Sequence, residues 1–138
     1  MEALVLEKKL TLSLRNIDLN NSVSSHDVKI KMHTVGICGS DIHYYEHGKI
    51  GKWEVKSPMI LGHEGSGTII EIGDNVKNLK VGDRVCIEPQ IVDKRSKEYK
   101  LGIYNYDQNV EFWATPPIHG CLIPEIIFPD DMVFKIPD

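Results

Sequence analysis

Apolar and polar residues alternate with a period of two in short runs separated by glycine, which commits the chain to strands more than to helices. Leu10, Leu12 and Leu14 alternate with Thr11, Ser13 and Arg15, and Val28, Ile30 and Met32 alternate with Lys29, Lys31 and His33. Both runs predict half-buried strands. A third run, Thr68 to Ile72, lies between Gly67 and Gly73, and a fourth, Arg84 to Ile87, follows the turn Val81-Gly82-Asp83. Gly73-Asp74-Asn75 is a further turn signal. Short strands with this punctuation predict a mainly β fold, a small and mostly antiparallel barrel or sandwich. One short helix is expected, Ser40 to about Glu46, directly after Cys38-Gly39. Residues 89 to 120 hold little periodicity and end in Pro116-Pro117, which predicts a long irregular lobe.

The length, 138 residues, suits one domain with a proper core. At 41% hydrophobic and 26% charged, the composition is that of a folded globular chain. A net charge of −4 supplies no basic patch of the kind nucleic acid requires. No apolar run approaches the roughly 20 residues of a bilayer span, so no membrane partner is expected. Met1 to Leu10 lacks the cationic-then-apolar order of a signal peptide, which makes the sequon Asn20-Asn21-Ser22 accidental. Cys38, Cys86 and Cys121 are an odd set without a secretion signal. They point to a reducing, cytoplasmic compartment and away from a disulfide framework.

Most of the polar residues suited to chemistry lie in two segments, Cys38-Gly39-Ser40-Asp41-Ile42-His43 and Gly62-His63-Glu64. A borderline-soft divalent ion such as zinc takes thiolate, imidazole and carboxylate ligands, and Cys38, His63 and Glu64 offer one of each. Cys38 precedes a helix N-terminus, where the dipole and free amides favour thiolate. Three protein ligands leave a fourth position for water or substrate, the mark of a catalytic rather than a closed structural site. Such a zinc lowers the pKa of bound water to about 7 and does the same kind of work on an alcohol, easing departure of the carbon-bound hydrogen as hydride. Ser40 and His43 are three apart on the short helix, so both can face one side. A hydroxyl followed by an imidazole, with an ordinary pKa of about 6.5, suits a proton exit path. Asp41 suits the support of a ligand imidazole.

Each of these readings has a plainer rival. A single cysteine after an apolar strand is most often a buried small hydrophobe, the expectation for Cys86 and one that extends to Cys121. A His-Glu pair is commonly a solvated loop. His26 and His33 read as ordinary exposed or strand residues and His119 as a loop residue. No short-range pair such as Cys-x-x-Cys fixes the Cys38, His63, Glu64 set.

Further residues bear on the choice. Gly62-His63-Glu64-Gly65-Ser66-Gly67, followed by Gly73 and Val76, resembles the zinc signature of the medium-chain alcohol dehydrogenases, with glycines that permit tight backbone turns around the metal-bearing residues. Gly36-Ile37-Cys38-Gly39-Ser40-Asp41-Ile42-His43 is similar to the other metal segment of that family, and Val81-Gly82-Asp83-Arg84-Val85 to the strand that follows the signature. Tyr99-Lys100, Gly102, Tyr104-Asn105 and Phe112 to Pro117 resemble the sorbitol and xylitol dehydrogenase branch. The likeness covers nearly all 138 residues.

The resemblance implies a GroES-like β-barrel catalytic domain spanning 1–138 and holding one catalytic Zn2+. By position, Cys38, His63 and Glu64 would be its ligands, Glu64 directly, through water or by switching. Ser40 and His43 would relay protons, Asp41 would orient His63, and Tyr44, Phe112 and Thr115 would line a pocket for a small polyol. NAD or NADP would serve the full-length parent, expected to be a homo-oligomer. Two departures stand out. The lobe from Glu88 to Thr115 has no cysteine, whereas many relatives carry four there around a structural zinc, so one zinc at most is expected. Gly65-Ser66-Gly67 has Ile70 where a third glycine belongs and leads into a strand, so no Gly-x-Gly-x-x-Gly fingerprint is present. The chain ends at Phe134-Lys135-Ile136-Pro137-Asp138, about where family members cross into a Rossmann domain, and a further glutamate near the zinc lies beyond that point in relatives.

Three functions follow in order of preference. The first is the catalytic domain of a polyol dehydrogenase, present as a fragment or truncated gene product and inactive alone for want of a hydride acceptor. The second is a stand-alone GroES-like binding or chaperonin-like module, since fold does not fix function; no flexible apolar contact loop supports it. The third is a zinc-free quinone reductase relative, against which Cys38 and His63-Glu64 speak. An apolar face is expected where a missing domain would dock.

Overall fold

The computed structural model describes residues 1–137; the expected domain boundary at Asp138 lies outside the described residues. In chain order the strands are β1 (Glu2–Lys8), β2 (Thr11–Asn16), β3 (Asp27–Gly36), β4 (Lys49–Ile50), β5 (Trp53–Glu54), β6 (Met59–Ile60), β7 (Glu64–Ile72), β8 (Arg84–Ile87), β9 (Gln90–Ile91), β10 (Glu111–Phe112), β11 (Glu125–Pro129) and β12 (Val133–Lys135). Helix α1 spans Gly39–His47 and the single-turn α2 Lys97–Lys100. The main sheet has the order β11-β3-β7-β8-β12, and a second sheet the order β2-β1-β6. Hairpins β4-β5 and β9-β10 complete the pairing, which is antiparallel throughout the described residues. The mainly β expectation holds, and α1 extends the expected helix by one residue at each end.

The core follows from the period of two. Val28 and Ile30 of β3, Ile69 of β7, Val85 of β8 and Phe128 of β11 point to one side of the main sheet and are buried together. Trp113 packs edge-on against Phe128 with ring centroids 4.4 Å apart, bringing the end of the lobe onto the sheet. The lobe is mostly irregular as expected, but Glu88 anchors it, accepting from Tyr104 Oη at 3.1 Å and from the Gln90 amide. Asp83, buried in the turn before β8, accepts from Lys80 N at 3.0 Å and from Lys135 Nζ at 2.8 Å. The Lys135 ammonium, with the Lys80 amide, holds the Asp83 carboxyl below the usual carboxylate range.

Two sequence expectations need correction. β2 is a strand, but Leu12 and Leu14 are 42% and 64% exposed, and Leu10 stands in the preceding turn at φ 61°. β2 is the outer strand of its sheet and nothing in the described chain covers that side; periodicity identifies a strand without saying that its apolar face is covered. β7 begins at Glu64 rather than Thr68. Gly67 lies inside this strand because β3 approaches closely, and a Cβ built there would fall 2.2 Å from the Lys31 carbonyl oxygen. Only Gly62, at φ 87°, makes a turn beside the signature histidine.

The β3–β7 ladder carries two bulges. Lys29 faces Glu71 while Ile30 faces Ile69, leaving Ile70 as the extra residue on β7. Met32 faces Gly67 while Thr34 faces Ser66, leaving His33 as the extra residue on β3. The two insertions compensate, so the strands finish with Gly36 opposite Glu64.

Gly67→Ala is expected to lower stability by at least about 2 kcal/mol, because the obstructing atom is backbone. Gly39→Ala, with nothing within 4 Å of a built Cβ, is expected to be neutral or to stabilise by up to about 1 kcal/mol through a stiffer unfolded chain and better helix propensity. Urea midpoints of the two variants check both; an unchanged midpoint for Gly67→Ala would mean that β3 and β7 separate there at no cost.

Candidate metal centre

Cys38 is the N-cap of α1, with extended backbone (φ −80°, ψ 155°), and three residues on Asp41 turns its carboxylate back to the cap. Asp41 Oδ2 accepts from Cys38 N at 3.0 Å. Its other oxygen, Oδ1, accepts from Gly62 N at 2.9 Å. Asp41 is 3% exposed, and a hydrogen bond to a charged, buried acceptor contributes about 1.5–3 kcal/mol. One carboxylate thus ties the residue bearing a thiol to the turn that carries His63. At the other end of α1, Gly48 takes φ 74° and donates its amide to Tyr44 O at 2.8 Å, closing the helix in the usual glycine manner.

Glu64 opens β7 directly opposite Gly36, and its carboxylate lies over that glycine: a Cβ at position 36 would fall 2.3 Å from Glu64 Oε2. One ligand atom each from Cys38, His63 and Glu64 lies within 4.8 Å of the others. Cys38 and His63 are half-buried and Glu64 is exposed, so the group opens to solvent on one side. His63 Nδ1 is buried with no hydrogen-bond partner and stands 3.7 Å from Asp41 Oδ1, beyond hydrogen-bond range. Asp41 is therefore beside the imidazole, as its expected role requires, while its oxygens are engaged by backbone amides. A half-buried imidazole grouped with a thiol and a carboxylate is a nitrogen, sulfur and oxygen donor set that fits a divalent ion of the zinc type.

The same imidazole forms one wall of a cleft of ≈ 310 Å³. Ser40, Tyr44, Phe112 and Thr115 line it too, so five of the nine expected site residues meet there. The Phe112 ring lies 5.5 Å from the His63 ring, centroid to centroid. Tyr44 is buried, which pushes its phenol above the ordinary value, and a hydrogen bond accepted from the Thr115 hydroxyl opposes the shift in part. His43 is not on the cleft: it lies exposed on α1 against His47. Sequence reasoning missed Ile50 and Trp53, which also line the cleft from β4 and β5. Gly48 and Gly51 are the one signal that could have found a turn there, and they do not say that it folds over the helix.

Of the two cysteines expected to be buried, Cys121 is and Cys86 is not. Cys86 is exposed and Cys121 fully buried. Val85 and Ile87 take the interior face of β8, so Cys86 between them must point outward. Burial, reinforced by the nearby Asp41 charge, pushes the Cys121 thiol up to about 12.

Among known families, the model described as the alcohol dehydrogenase GroES-like domain matches residues 24–138. The D-xylulose reductase of Morganella morganii is 56% identical over 138 residues, covering 100% of this chain and 41% of that protein. Sorbitol dehydrogenase 2 of Saccharomyces cerevisiae is 46% identical over 136 residues, covering 99% of this chain and 38% of its own length. The chain thus spans about 40% of the length of the curated relatives it matches. Among solved structures, an Escherichia coli oxidoreductase/dehydrogenase of unknown specificity, involved in membrane biogenesis, superimposes with a TM-score of 0.89 at 32% identity, over 99% of this chain and 40% of that one. No helix among the described residues is long and apolar enough to cross a membrane.

Asp41→Ala leaves the Cys38 and Gly62 amides without their acceptor and is expected to cost about 2–4 kcal/mol of stability, read from denaturant unfolding. Iodoacetamide at pH 8 is expected to alkylate Cys86 in the folded chain and to spare Cys121 until denaturant is added, because a thiol near 12 holds almost no thiolate there. Peptide mass mapping distinguishes the two; labelling of Cys121 at the Cys86 rate would contradict its burial.

Proposed function

Because the chain belongs to the alcohol dehydrogenase GroES-like domain family, we propose that it is the zinc- and substrate-holding catalytic domain, residues 1–138, of an NAD- or NADP-dependent polyol dehydrogenase. The reaction is oxidation of a secondary alcohol of a small polyol to the ketone, and its reverse. The observation that carries this reading is the sharing of His63 between the Cys38, His63, Glu64 donor group and the cleft lined by Ser40, Tyr44, Phe112 and Thr115. Donor set and cleft meet at the His63 ring. The names of the relatives, a ketose reductase and a polyol dehydrogenase, agree with the two directions of one such hydride exchange.

Cys38 and His63 would hold the zinc, with Glu64 as the third and exposed ligand. Zinc bound there supplies the electrophile that makes an alcohol hydroxyl more acidic. Asp41 presets the backbone that carries Cys38 and His63, and it lies close enough to support the imidazole once its other nitrogen is engaged. Ser40 Oγ receives the proton that the substrate hydroxyl loses. His43, one turn further along α1 and exposed, passes it to solvent. Tyr44 carries a phenol that is protonated at neutral pH like any tyrosine and that burial raises further, and together with Thr115 it presents hydroxyls to the neighbouring hydroxyls of a polyol. Phe112 and Trp53 close the cleft with apolar surface. The described residues contain only antiparallel strand pairs and no Gly-x-Gly-x-x-Gly, so the hydride acceptor binds elsewhere in the working enzyme.

The chain is expected to bind about one zinc per molecule by atomic emission. Cys38→Ser and His63→Ala are expected to lose it, with roughly 10–100-fold or greater weakening. Added xylitol or sorbitol with NAD+ should give no NADH from this chain alone. The full-length protein should turn over, and Tyr44→Phe should raise its KM for polyol more than it lowers kcat. Zinc content untouched by both ligand substitutions, or robust NADH formation by residues 1–138 alone, would defeat the reading.

A further inference from the structure

Helix α1 carries a second group of metal-ligating side chains, outside the cleft and on the solvent side. His43 and His47 are one turn apart and so project from the same face. Their ring centroids lie 4.4 Å apart, with the planes inclined at 59°. Glu46 stands beside them, its Oε2 3.8 Å from His47 Nε2. All three residues are exposed. The other four histidines face protein partners: His26 lies against Asn75 and His33 against Thr68, His119 accepts the Ile60 amide, and His63 faces Asp41. His43 and His47 face each other.

We propose that His43 and His47 form a two-imidazole surface site for a late first-row divalent transition ion, its remaining positions filled by water. The i, i+4 spacing is the one by which two helical imidazoles reach a single ion. An ion about 2.1 Å from each ring nitrogen draws two imidazoles to roughly the spacing seen here. Imidazole suits copper, nickel and zinc, and Cu2+ binds most strongly in that series. The scaffold is already fixed, since Asp41 and Tyr44 are buried on the inner side of the same helix and Gly48 closes its end. Little ordering remains to oppose binding. None of these ligands belongs to the Cys38, His63, Glu64 group; His43 is shared with the proposed proton path, and an ion bound there would take its imidazole out of that path, so zinc content is the readout that keeps the two readings apart.

The test uses Ni2+ in calorimetry and Cu2+ in electron paramagnetic resonance, on the chain supplied with one equivalent of zinc. One further Ni2+ is expected to bind, and the Cu2+ spectrum should show coupling to two imidazole nitrogens. His47→Ala is expected to weaken Ni2+ binding by roughly tenfold or more while leaving the circular dichroism and the zinc content unchanged. Cys38→Ser and His26→Ala should keep the second site. Equal Ni2+ affinity in wild type and His47→Ala, or a Cu2+ spectrum with one coupled nitrogen or none, would overturn the assignment.

Discussion

The Asp41 carboxylate ties together two stretches of chain that are far apart in sequence, at the end of the ladder where Gly36 meets Glu64. Each oxygen accepts one backbone amide, from Cys38 at 3.0 Å and from Gly62 at 2.9 Å. Those amides belong to the residue with the thiol and to the residue before the imidazole, so one side chain sets the distance between two candidate ligands. An asparagine could serve one amide but would present its own donor to the other. A glutamate would be a carbon too long for the turn back onto its own cap. The charge acts at a second place as well: burial does most to raise the Cys121 thiol, and Asp41 adds to it.

Around that tie, the site is assembled from parts of different origin. The helix brings Ser40 and Tyr44, the β7 strand brings Glu64 after the His63 turn, and the lobe brings Phe112 and Thr115. The lobe has little regular structure of its own, and it is held to the sheet by the burial of Trp113 against Phe128, by the Glu88 amide on Met132 O at 2.9 Å and by the Lys94–Asp131 ion pair. The walls of the cleft therefore depend on an aromatic contact on the far side of Phe112. The β4-β5 hairpin covers the remaining side, with Lys52 lying 4.9 Å over the Trp53 ring.

Much of this was legible in the residues. Strands appear where apolar residues alternate, and the helix appears where the Cys38-x-x-Asp41 cap begins it. The Cys38, His63, Glu64 set is readable because its three donor types match one class of ion. What resisted reading depended on neighbours. Leu12 and Leu14 have the pattern of a covered face, but coverage is a property of what packs against a strand. Cys86 was readable in principle, since Val85 and Ile87 flank it with the opposite sense. The ties from Asp41 to two amides leave no trace at Gly62 in sequence, because a backbone N–H is present at nearly every position. Ile50 and Trp53 join the cleft only through a hairpin that folds back over α1.

The paired bulges of the β3–β7 ladder carry a consequence for how such a chain can vary. Side chains alternate along a strand, so a shift of one residue turns every following side chain to the opposite face. The extra Ile70 on β7 displaces the ladder by one residue, and the extra His33 on β3 restores it before Gly36 meets Glu64. Deleting either residue alone would rotate the end of one strand and swing the Glu64 carboxylate away from Cys38 and His63. Deleting both would leave the metal end of the ladder as it is. Insertions and deletions at these two positions, on different strands and outside the metal-ligand group, are therefore tolerable only as a pair.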